Sequence, residues 1–151
     1  MAASSGASVV EHSVEIDAPV STVFDYVGDF SKTPTWFYGL TRIEPVSGPE
    51  RGVGAVYDGV VKLGVTLTSR LECTAYDADT FIELTSVKGI KNHQRWRFAA
   101  LGEDRTRLDV HIDYELPGGL AGRAVASAVK PLIGVAVTQS SAALKRNVEA
   151  L

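Results

Sequence analysis

The sequence is short of nearly everything that would announce a chemistry. It has one cysteine, one methionine and three histidines in 151 residues. A lone Cys73 cannot close an intramolecular disulfide, and on a strand it reads as a small buried hydrophobe. Three isolated histidines and one cysteine offer no ligand set at a zinc-like spacing, so no metal or other cofactor is implied. Blocks of like charge are absent: 15 Lys and Arg are scattered among 18 Asp and Glu, for a net charge of −3. With no basic stripe to neutralise phosphates, nucleic acid is excluded as a partner. Long apolar runs are missing too. The longest uncharged stretch, residues 131–144, is 14 residues and includes Thr138, Gln139, Ser140 and Ser141, too short and too polar to span a bilayer. Residues 1–8 are small and polar without a basic-then-apolar layout, which reads as a disordered terminus on a cytoplasmic protein rather than a signal peptide.

Catalytic signatures are equally scarce. Gly52-Val53-Gly54 lacks the rest of a dinucleotide fingerprint, since Tyr57 stands where its third glycine belongs, and no Gly-Lys-Ser/Thr follows. No serine sits in a Gly-x-Ser-x-Gly elbow. Asp25 and Asp29 fall on a surface helix and a cap, positions that suit solvation.

What is present is an order of periodicities. A hydrophobic content of 45% in 151 residues suits one globular domain over residues 9–151. Val10, His12, Val14 and Ile16 alternate with polar residues, the period of a strand with one wet face. Ala18-Pro19 stops that strand and opens a helix whose Val20, Val23, Phe24 and Val27 make one stripe. Gly28 ends it, and Asp29 caps a second short helical turn that Pro34 terminates. Five turn signals then cut out six alternating strands: Ser47-Gly48-Pro49, Lys62-Leu63-Gly64, Asp77-Ala78-Asp79, Lys88-Gly89-Ile90 and Leu101-Gly102-Glu103-Asp104. In the last pair Trp96, Phe98, Leu108, Val110, Ile112 and Tyr114 face inward, while arginines and carboxylates pair on the wet side. After Pro117-Gly118-Gly119 the period becomes helical. Ile133, Val137, Ser141, Leu144 and Val148 form its stripe, and Pro131 predicts a break near Lys130 followed by a helix of roughly 20 residues.

With these elements placed, the chain resembles the START-related, birch-pollen-allergen-like helix-grip superfamily (SRPBCC), in its bacterial polyketide cyclase/dehydrase-like subgroup. The resemblance rests on "EIDAPVSTVFDYVGDF", on the proline-then-tryptophan corner "TPTW", on "GVGAVY" entering a strand, and on the closing "ALKRNVEAL". It implies an α+β helix-grip fold: a curved seven-stranded antiparallel sheet around a long C-terminal helix, with two short helices after the first strand. It also implies a small hydrophobic ligand, such as a lipid, isoprenoid or polyketide, held between sheet and helix. Family cyclases carry a tryptophan directly before the corner proline and an arginine inside the pocket. Here Thr33 precedes Pro34, and Arg70 falls on the wet face.

The candidate pocket lining is His12, Trp36, Tyr57, Leu71, Trp96, Phe98, Tyr114, Ile133 and Val137. His12 is the one histidine in an inward register, an anchor or general base if the pocket reaches it and a core residue if not. Gly134, Ala136, Ser140, Ala142 and Ala143 on the closing helix are small enough to leave room beside the aromatics. Apolar turn tips at Leu63, Ile90 and Leu120 mark a pocket rim, or a surface meeting a membrane or partner. Two other functions stay open. One is a cyclase/dehydratase-type enzyme using His12, Tyr57, Tyr114 and Trp96; the other is a protein-interaction module with an incidental cavity. An open, nearly apolar cavity favours binding, converging titratable groups favour catalysis, and a collapsed cavity favours interaction. Oligomeric state is not legible.

Overall fold

The computed structural model describes residues 7–116 and 119–151. Strand β1 (Ala7–Ile16) begins earlier than the alternation alone suggests, because Ala7 and Ser8 already pair with Glu115 and Tyr114. Helix α1 (Val20–Gly28) follows Pro19 and buries Val23, Phe24 and Val27. Asp29 then accepts the Ser31 amide at 3.1 Å and opens a 3-10 helix, Phe30–Thr35. Six strands come next: β2 (Leu40–Ser47), β3 (Val56–Lys62), β4 (Thr66–Asp77), β5 (Phe81–Gly89), β6 (Lys91–Gly102) and β7 (Arg105–Glu115). Helix α2 (Gly119–Glu149) closes the chain. The expected break at Pro117-Gly118 lies outside the described residues.

All seven strands join one antiparallel sheet in the order β1-β7-β6-β5-β4-β3-β2. Consecutive strands from β2 to β7 form a meander, and β1 pairs back onto β7. This is the α+β helix-grip fold. Register sorts the two faces. His12, Val110 and Trp96 share an inner row, as do Val14, Leu108 and Phe98. On the outer face Arg97 lies opposite Asp109, and Arg70 grips Asp58 through two bonds of 2.8 and 3.0 Å. Those bonds hold the Asp58 carboxyl below its usual range. His93 and His111 meet Glu83 and Asp113 on this face, at 3.1 and 3.2 Å. Gly89 makes the β5–β6 corner possible: its φ is +82°, and a Cβ there would sit 2.3 Å from the Thr68 carbonyl oxygen.

Helix α2 is one unbroken helix of 31 residues, about 46 Å long. The break expected at Pro131 does not occur. Val129, fully buried, anchors the turn before the proline, and Ala136, Leu144 and Val148 anchor the turns after it. Packing on both sides outweighs one missing i→i−4 bond. The C-terminal half is also pinned by polar contacts. The Asp17 amide donates to Glu149 at 2.8 Å, Lys145 to the Glu15 carbonyl at 2.9 Å, and the Tyr38 amide to Ser140 Oγ at 2.8 Å. Small positions are not all inward: Gly134 and Ala142 are exposed, and nothing lies within 4 Å of a Cβ added at Gly134.

Because Pro131 is exposed and sits inside a continuous helix, Pro131→Ala restores a backbone donor without disturbing packing. It should stabilise the fold by about 1–3 kcal/mol, read as a higher thermal midpoint. A lower midpoint would mean that the proline is itself required by the packed helix.

Candidate functional site

A cavity of about 200 Å³ lies between the inner sheet face and α2. Four groups of side chains build its wall. Val27, Phe30, Thr33, Trp36 and Phe37 close the end under α1 and the 3-10 helix. Leu40, Ile43, Tyr57, Val61, Leu67 and Leu71 come from β2 to β4. Strands β5 to β7 add Ile82, Leu84, Asn92, Gln94, Trp96, Val110, Ile112 and Tyr114. Helix α2 supplies Ile133, Ala136, Val137, Ser140, Ser141 and Leu144. Among the described residues of the wall there is no Asp, Glu, Lys, Arg or His. The wall is apolar with a few neutral polar groups.

Those polar groups are arranged in order. From Ile90 to Trp96 every second residue of this segment faces the cavity, and the side chains form a ladder. Asn92 Nδ2 donates to the Ile90 carbonyl at 2.9 Å, Gln94 Nε2 to Asn92 Oδ1 at 2.9 Å, and Trp96 Nε1 to Gln94 Oε1 at 3.1 Å. Pairing of β5 with β6 stops at Thr85 and His93, and the Asn92 amide turns to Ser86 Oγ at 2.9 Å. The sequence reading missed Asn92 and Gln94, although the alternation that turns Trp96 inward also turns them inward. Two other atoms have no partner. Thr33 Oγ1 and Trp36 Nε1 are sealed from solvent without a protein hydrogen bond, and their residues are only 7% and 4% exposed. Leaving such an atom unpaired costs about 1–3 kcal/mol.

The expected lining residues fall into two sets. Trp36, Tyr57, Leu71, Trp96, Tyr114, Ile133 and Val137 all meet the cavity. His12 and Phe98 do not. Helix α2 lies against β1, so inward side chains of that edge strand meet the helix before the open space. Phe98 is taken up by α1, its ring 5.0 Å from that of Phe24 in an edge-on contact. Of the expected rim, Leu63 is folded inward at 7% exposure, and both it and Ile90 belong to the wall. The Leu120 side chain lies outside the described residues. Gly134 faces away from the cavity, on the opposite side of α2 from Ala136. No group of three His, Cys, Asp or Glu side chains that could hold a metal ion occurs among the described residues, and no helix there is long and apolar enough to cross a membrane.

Comparison with known proteins fits this architecture. A family model described as polyketide cyclase/dehydrase and lipid transport matches residues 8–149. The chain belongs to that family. No curated protein matches it significantly by sequence. Among solved structures, a Thermus thermophilus protein is similar with a TM-score of 0.81 and 21% identity, over 95% of this chain and 98% of that one. The Zhui aromatase/cyclase of a Streptomyces species aligns with a TM-score of 0.77 and 19% identity, over 95% and 94%. A START superfamily protein from Mycobacterium smegmatis gives 0.77 and 23%, over 94% and 97%. At these identities the likeness is one of fold.

Within the polyketide cyclase/dehydrase and lipid transport family, this chain differs from the cyclase pattern at the helix corner. Thr33, on the cavity wall, stands where those cyclases place a tryptophan, and Arg70 is committed to Asp58 on the outer face. Tyr57 is the perturbed phenol of the wall. Burial pushes it up, with the neighbouring Cys73 adding to the effect. Its hydroxyl donates to the Glu50 carbonyl, and its ring lies 4.1 Å from that of Phe30. A phenol raised on folding contributes stability that is present below the unfolded value of about 10 and is lost as pH climbs through the folded value. Tyr57→Phe should therefore lower stability at neutral pH by about 1 kcal/mol and make the alkaline decline shallower. Denaturant unfolding above and below about pH 10 checks both.

Proposed function

We propose that the protein reversibly binds a small, neutral, largely hydrophobic molecule in this cavity. The observation that carries the reading is the wall itself, which joins an apolar space to neutral polar groups and, among the described residues, contains no side chain charged at neutral pH. An ionised ligand would leave water without a partner charge, at a large desolvation cost. General acid–base catalysis needs a group poised near the working pH, and tyrosine phenols titrate far above it. This weighs against the cyclase/dehydratase alternative. An interaction module would have no use for an unfilled interior, which weighs against the other.

Size narrows the class further. An engineered cavity of about 150 Å³ takes a benzene molecule, so about 200 Å³ here suits one or two rings, or a short isoprenoid or polyketide-like fragment. A long acyl chain or a sterol would require the cavity to widen.

A neutral naphthalene-based fluorophore should gain fluorescence on binding. Ala136→Leu, at a buried position on the wall, should weaken that binding roughly tenfold or more by filling the space. Gly134→Leu, on the outer face of α2, should leave it unchanged. Equal binding by wild type and Ala136→Leu would place the site elsewhere.

A further inference from the structure

Given that the cavity is a binding site, we infer that its ligand carries an uncharged acceptor oxygen, a carbonyl or ether, and that this oxygen is received at the helix corner by Trp36 Nε1 and Thr33 Oγ1. Among the polar side-chain atoms of the described wall, these two are both sealed and unbonded. Asn92, Gln94 and Trp96 complete one another along β6, Tyr57 is bonded to the Glu50 carbonyl, and Ser140 accepts the Tyr38 amide. Thr33 Oγ1 and Trp36 Nε1 have no protein partner, yet both residues are more than nine-tenths buried and both line the cavity.

The two residues lie one turn apart at the helix corner. In a 3-10 helix residues i and i+3 eclipse one another, and the Trp36 amide closes the last such turn on the Thr33 carbonyl at 3.1 Å. The indole N–H can only donate, whereas the threonine hydroxyl donates or accepts. A ligand that satisfies the pair must therefore offer an acceptor to the indole. The polarity limits the ligand from the other side as well. With no Lys, Arg or His on the described wall, the acceptor is not a carboxylate or phosphate, which would be desolvated without a counter-charge.

Three probes on one bicyclic frame test this: tetralin, 1-tetralone and a tetralin carboxylate, titrated calorimetrically into wild type, Thr33→Val and Trp36→Phe. Wild type should bind the ketone roughly tenfold or more tighter than the hydrocarbon, and the carboxylate most weakly of the three. Thr33→Val replaces the hydroxyl with a methyl group of similar size, so it should shrink the ketone's advantage while leaving tetralin binding nearly unchanged. Trp36→Phe also removes ring volume from the wall, so its readout is the ratio of ketone to tetralin affinity, which should fall. Free Thr33→Val should unfold at the same temperature as wild type or higher, because the deleted hydroxyl has no partner to lose; a structural hydrogen-bonding role would lower it. Equal affinity of wild type for tetralin and tetralone overturns the inference and leaves hydrophobic binding intact. So does a ketone preference that survives in both variants. Failure of tetralin and of the neutral fluorophore alike would overturn the binding function, and the inference with it. Should Trp36→Phe not fold, the isosteric Thr33→Val alone decides.

Discussion

One constraint shapes this protein: a single helix has to cover a seven-stranded sheet. Strands about 4.8 Å apart make a sheet some 30 Å across, whereas a helix with its side chains is only about 10–12 Å wide. Curvature and the α1–3-10 corner reduce the mismatch without removing it. At the C-terminal end of α2 the problem is solved by filling. Leu144 and Val148 enter the main core, and Glu149, Lys145 and Ser140 tie the helix to the β1–α1 turn and to Tyr38. In the middle of the helix the inward positions include Ala136, Val137, Ser140 and Ser141, too short to reach the opposite wall. The cavity is the space that this stretch leaves.

The polar content of that space follows from which strands can accommodate it. β6 is an interior strand between β5 and β7, so its backbone groups are mostly used by its neighbours and its inward amides must satisfy one another. The ladder from Ile90 through Asn92 and Gln94 to Trp96 does so with short-range contacts between residues two apart. Such a network fixes side-chain orientation and gives the wall a polar stripe without a charge. The helix corner is different. The 3-10 helix ending just before Trp36 packs on β2, but no neighbouring group bonds the hydroxyl of Thr33 or the indole N–H, and the free protein carries their desolvation unrelieved.

The sheet was legible in the sequence because β1, β6 and β7 alternate cleanly and each turn carries Gly, Pro or Asp. The family was legible for the same reason, since its motifs are structural punctuation. Details of the site were less so. Gly134 and Ala136 are about 200° apart around a helix that advances about 100° per residue, so small size alone could not place both on the cavity side. His12 has an inward register, but register does not reveal that α2 lies against β1. Phe98 and Trp96 are equivalent in pattern, and only the position of Phe24 on α1 separates a packed ring from one facing open space. Pro131 is a breaker by local rules and loses to the burial of Val129 before it and Ala136 after it. Asn92 and Gln94 were within reach of the alternation argument; a bias toward apolar lining residues hid them.

The unpaired atoms at the corner also bear on how stability and binding are linked. A donor left without a partner penalises the free protein, and a ligand that meets it relieves that penalty while also burying its own apolar surface. Occupancy then stabilises the folded state by RT ln(1 + [L]/Kd), an effect that grows with free ligand concentration. The corner that carries this cost packs on β2. It is held by the Asp29 cap on Ser31, by the Tyr26–Thr35 hydroxyl contact at 3.2 Å and by Asn147 of α2 reaching the Thr35 carbonyl at 3.3 Å. Tyr26 and Asn147 come from the two helices that flank the cavity end. Thr35 thus ties the corner to both of those helices.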